Sequence, residues 1–73
     1  MGFWKYTYSA SFEFSDGTSS YITGQGMSEN EAIARAKESA RRVAGKKVVD
    51  VRHEEMKETT SSGRTKTVWQ TFN

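Results

Sequence analysis

His53 is the only histidine in 73 residues, and no cysteine accompanies it. An imidazole beside the carboxylates Glu54 and Glu55 could in principle move a proton. Neighbours on a strand point to opposite faces, however, so these two acids cannot work as a pair. A metal site would need His53 plus carboxylates converging from elsewhere, and no ligand spacing suggests one. Gly24-Gln25-Gly26 is too short for a phosphate loop, and Glu29 and Glu31 place negative charge where an anion would have to bind. The serines are plentiful, yet none sits in a nucleophile turn. The expectation is a protein without catalytic residues, cofactor or metal.

Binding chemistry is better represented. The net charge is +2, but six basic residues lie between Arg35 and Lys47 against Glu38 alone. That segment carries +5 and leaves −3 for the rest. A local cluster of this kind admits an anionic partner. Lys37, Arg41, Arg42, Lys46 and Lys47 are its candidate contact residues, joined by Arg64 and Lys66 in a second hairpin. A structural role competes with this reading. Glu31 and Arg35, and Glu38 and Arg42, stand four apart as helical ion pairs, and cations near a helix C-terminus complement its dipole.

The element that must hold these residues is an amphipathic helix over 29–44. Ser28 is an N-cap residue with Glu31 three places on, the pattern of a capping box in which the carboxylate returns to the Ser28 N–H. Met27 and Ala32 occupy the positions of a hydrophobic staple. Gly45 suits the left-handed residue that ends a helix. Ala32, Ile33, Ala36, Ala40, Val43 and Ala44 share one arc. That arc is flat, so it can approach a sheet closely, and large side chains must come from the sheet.

Trp4, Tyr6, Tyr8, Ala10, Phe12 and Phe14 alternate with polar residues, which predicts a half-buried strand over 3–14 with an aromatic inner face. Ser15-Asp16-Gly17 is a turn. A three-residue loop with Gly17 left-handed sets Ile22 opposite Ala10, Gly24 opposite Tyr8 and Gly26 opposite Tyr6, where the glycines would leave room for the rings. The second strand then spans 18–26. After the helix, 47–59 and 65–72 read as strands joined through Ser61-Ser62-Gly63, with Val49 and Val51 inward. Val51 and Met56 differ by an odd number of positions, as do Trp69 and Phe72. Either a bulge near His53 to Glu55 or a hairpin covered on both faces would resolve this. A strand of that length extends ~40 Å against ~24 Å for the helix, so the hairpin tip is either a projecting arm or a solvated turn.

The chain is therefore expected to be one α+β domain of order ββαββ, a four-stranded, mostly antiparallel sheet with the helix on one face. A chain this short buries only ~60% of its unfolded surface, so its stability should be marginal. Lack of cysteine excludes disulfides, and no apolar run or leader pattern suggests a membrane, which leaves the cytoplasm as the default location.

Two hairpins flanking an alanine-rich helix resemble the β-grasp immunoglobulin-binding domains of protein L and protein G. The resemblance covers most of the chain and implies that the first and last strands are parallel neighbours at the sheet centre. It carries no specific motif, and antibody binding does not follow from it. Separately, Gly24-x-Gly26-x-Ser28-x-x-x-Ala32-x-x-x-Ala36 resembles the strand-to-helix junction of double-stranded-RNA-binding domains. That similarity implies contact with phosphates through lysines after the serine, where this chain has Glu29 and Asn30. The function expected first is protein binding through a sheet edge, the second hairpin or the helix face, self-association into a homodimer included. The alternative is nucleic-acid binding through the basic segment 35–47.

Overall fold

The computed structural model describes residues 4–72, with Val43 and Ala44 described by backbone alone. Strands β1 (Tyr6–Phe14) and β2 (Ser19–Gly26) precede helix α1 (Glu29–Ala44), and β3 (Val48–Thr59) and β4 (Thr65–Gln70) follow it. All neighbouring pairs are antiparallel, and the sheet order is β2-β1-β3-β4. β2 and β3 thus both run against β1, and α1 crosses from one to the other. The start of the first strand expected at residue 3, and the side chains of Val43 and Ala44 on the apolar arc, lie outside the described residues.

The opening hairpin has the expected register, Tyr6 opposite Gly26, Tyr8 opposite Gly24 and Ala10 opposite Ile22. Gly17 adopts φ +89°, the left-handed position that the three-residue loop requires. The role of Gly24 is different from the one expected. A methyl group there would fall on the backbone of Ala32 and Ala36. The room it leaves is for the helix, not for the Tyr8 ring. Ala32, Ala36 and Ala40 are fully buried against the sheet, and Tyr8, Ala10, Phe12, Phe14 and Met56 supply the rest of the core. Burying each of the large side chains contributes about 1.5–3 kcal/mol.

Helix capping also departs in detail. The Ser28 hydroxyl accepts from the Glu31 N–H at 3.1 Å, but the Glu31 carboxylate accepts from the Met27 N–H at 2.6 Å, one residue before the cap. That bond holds the Glu31 carboxyl below its ordinary pKa. Met27 is 54% exposed, so no staple closes over Ala32. At the far end Gly45, at φ 59°, donates its N–H to the Arg41 carbonyl.

The central pair corrects the β-grasp expectation. β1 has β3, not β4, as its second neighbour, and no parallel pair lies at the centre. β3 is twelve residues long and inserts Met56 into the core, whereas β4 has six residues and contributes Trp69 alone. The strand with more to bury takes the position bonded on both edges. Three irregularities reconcile its pattern. His53 and Glu54 together stand opposite Ala10, which returns both Val51 and Met56 to the helix face. A second shift at Val49 brings Val48 inward and leaves Val49 58% exposed, against expectation. A third, at Val68, sets Trp69 opposite Met56. Phe72 is left 80% exposed. Trp4 precedes the strand and is also exposed, its ring 5.0 Å from the guanidinium of Arg35 on α1. The hairpin forms no free arm. β1 accompanies β3 to Glu58, and the Lys5 carbonyl accepts from the Thr59 N–H.

Two stability measurements check this packing. Gly24→Ala is expected to cost about 3 kcal/mol by urea denaturation, because helix backbone cannot yield. Gly26→Ala, which meets the Glu31 side chain from its Cβ outward, should cost less, about 2 kcal/mol. His53 holds φ 54° in the first bulge. His53→Gly should therefore keep or raise the melting temperature, and His53→Val should lower stability by about 1–2 kcal/mol.

Candidate functional site

The helix does not cover the sheet evenly. Its closest approach is to β2, at Gly24 and Gly26, so it rides over the β1–β2 side. Beyond β3 the sheet continues only in part. β4 pairs with β3 from Glu55 to Thr59, and the last bond is from the Thr71 N–H to the Glu54 carbonyl. Residues 48–53 of β3 have no strand partner on that side among the described residues. A groove of about 610 Å³ opens there. Val48 and Val51 form its floor above the buried Phe12 ring, Val49 and Asp50 border it on β3, and its wall is the flank of α1 formed by Ala34, Lys37, Glu38 and Arg41. Those four recur at helical spacing, so a single strip of the helix faces the groove.

The two ends of the groove differ. Toward the helix N-terminus, Trp69 closes the sheet face over Met56, with its ring 6.2 Å from Tyr8 and its N–H donating to Glu29 at 2.9 Å. Beside it the Tyr8 hydroxyl donates to Glu54 at 3.0 Å, and burial followed by that bond pushes the Tyr8 pKa upward. Toward the helix C-terminus the groove is open. Asp50 and Arg52 flank it on the opposite sheet face, 3.0 Å apart, with Glu13 at 3.1 Å from the same guanidinium. The Arg52 bond lowers the Asp50 pKa, and the other Asp50 oxygen takes the Val51 N–H at 2.9 Å.

The seven basic residues expected to bind a partner do not converge. Lys37 and Arg41 line the groove, and their side chains make no ion pair or hydrogen bond among the described residues. Arg42 lies on the solvent side of α1, paired with Glu38 at 3.3 Å. Lys46 is bound to Asp16 in the first turn and reaches the Thr18 hydroxyl at 3.4 Å. Lys47 is exposed, and its carbonyl accepts from the Ser15 N–H. Arg64 and Lys66 sit at the opposite end of the sheet. Lys66 shares Glu58 with Lys5 at 4.0 and 3.8 Å, and the Arg64 carbonyl closes the turn on Thr60. His53, Glu54 and Glu55 do not gather: Glu54 faces Tyr8, and Glu55 lies 3.9 Å from Lys57 on the other face.

The groove residues Phe12, Ala34, Val48 and Val51 escape detection in the sequence. Each has an ordinary structural reading, and only the ending of β4 opposite Glu55 exposes them together. A signal was present in part, since β4 is predicted to be shorter than β3.

Asp16 offers a check on the structural assignment of Lys46. The Lys46 ammonium, then the Thr18 hydroxyl and N–H, hold its carboxyl well below the usual carboxylate range. A depressed folded pKa contributes stability that is complete above the ordinary value near 3.9 and disappears as pH falls through the folded one. Asp16→Asn should thus melt below the wild type at pH 7, with the difference narrowing steadily below about pH 4.

No family model matches this chain, and comparison with the curated proteins and with the solved structures gave no match.

Proposed function

We propose that this protein is a non-enzymatic interaction module that takes an extended segment of another protein into the groove between α1 and the first half of β3. The observation that carries this reading is a coincidence of place. The unpaired stretch of strand edge and the apolar floor of Val48 and Val51 lie side by side. An added strand obtains direction and register from an open edge, while alternate side chains enter a pocket beside it. Neither feature alone would suffice. Bare edges are routinely tolerated when guarded, as the Asp50 carboxylate guards the Val51 N–H here.

Nucleic acid is the rival partner. It would need the basic segment 35–47 to act as one patch, and two observations weaken that. Arg42 and Lys46 are committed to Glu38 and Asp16, and Arg64 and Lys66 lie at the far end of the sheet. The RNA-binding junction has less support still, because Gly24, Gly26 and the alanines are occupied in helix-to-sheet packing.

Ala34 is exposed on the groove wall, so Ala34→Trp should fill the groove without entering the core. Affinity capture from a lysate of the source organism should retain a protein that survives nuclease treatment. Ala34→Trp, with an unchanged circular dichroism spectrum and urea midpoint, should lose it. Capture that nuclease abolishes would favour nucleic acid. A protein held equally by the variant would place binding on another surface.

A further inference from the structure

We infer that the groove selects an acidic segment, with acidic side chains at alternate positions. This deepens the proposed function and rests on it.

Several charges around the groove are already paired. Of the acids that line it, Glu38 is held by Arg42 at 3.3 Å, and Asp50 shares Arg52 with Glu13 at 3.0 and 3.1 Å. Asp50, Arg52 and Glu13 alternate with Val51 and Phe12 along their strands, so their ion pairs lie on the far sheet face. Lys37 and Arg41 have no such partners among the described residues. The groove therefore presents two uncompensated positive charges above an apolar floor. A segment with basic residues would be repelled. A purely apolar one would leave both cations facing a partly desolvated neighbour.

Spacing makes the requirement more specific. Lys37 and Arg41 are four residues apart on α1, a rise of about 6 Å along the helix. Alternate residues of an extended chain advance about 6.6–6.8 Å. Two acidic side chains two positions apart on an extended segment that runs along α1 match that spacing. The pattern is acidic-x-acidic, over the floor of Val48 and Val51.

Selection from a phage-displayed library of random dodecapeptides on the intact chain tests this, with affinities of the selected synthetic peptides read by fluorescence anisotropy. Enrichment of the alternating acidic pattern is expected. Lys37→Glu and Arg41→Glu should each weaken binding about fivefold, added salt should weaken it further, and peptides with lysine in place of the acids should prefer the doubly reversed variant. Peptides that lack acids yet lose binding on Ala34→Trp would overturn the acidic inference and leave the groove reading intact. Peptides indifferent to Ala34→Trp, or none above background, would overturn both. Concentration-dependent dimers in light scattering that Ala34→Trp abolishes would put a second copy in the groove and overturn the inference. So would DNA or RNA that displaces the selected peptides.

Discussion

The contact between the alanine face of α1 and the glycines of β2 sets the shape of this molecule. Helix backbone lies so close to Gly24 that a single methyl group would collide with it. Such proximity leaves little play in the position of the helix, and it places the helix over the β1–β2 side of a four-stranded sheet. One helix is about 10 Å across and covers roughly two strands at ~4.8 Å spacing. The β3 side is consequently served by Trp69 at one end and by nothing described at the other. The groove is the geometric remainder of an off-centre helix.

The irregularities of β3 follow from the same economy of apolar residues. With 34% hydrophobic residues, the chain has few to spare. A regular strand would send either Val51 or Met56 to water. Two residues opposite Ala10 reverse the alternation between them, so both face the helix side. The left-handed conformation of His53 is the cost of that reversal. His53 thus acts as a backbone device, and its imidazole is exposed to solvent. The shift at Val49 works likewise, turning Val48 toward the core and leaving Val49 exposed at the border of the groove.

Charge is distributed by local pairing. Arg42, Lys46, Arg52 and Lys66 each lie within 4 Å of a carboxylate that is close in sequence or across a turn or strand. Exposed pairs like these contribute little to stability, typically 0–1 kcal/mol. Their larger effect is on the surface potential. With the Arg35–Glu31 pair they tie down half of the basic segment, and of the rest Lys37 and Arg41 are the cations that line the groove.

Much of the fold was written in local patterns. The alternation from Tyr6 to Phe14, the Ser28 cap, the Gly45 stop and the left-handed Gly17 determined the first hairpin, its register and the helix, because each depends on residues at most a turn or one hairpin apart. The need for a bulge near His53 was legible from the parity of Val51 and Met56, though covering both hairpin faces remained an equal solution. Tertiary structure decided what depends on contacts between distant segments: that β3 rather than β4 lies beside β1, that Gly24 accommodates the helix rather than a ring, and that Val48 replaces Val49. It also decided the site. A cluster of cations is visible in sequence, but which of them keep their charge unpaired, and which lie against an apolar floor, depends on where β4 ends and where the helix rests.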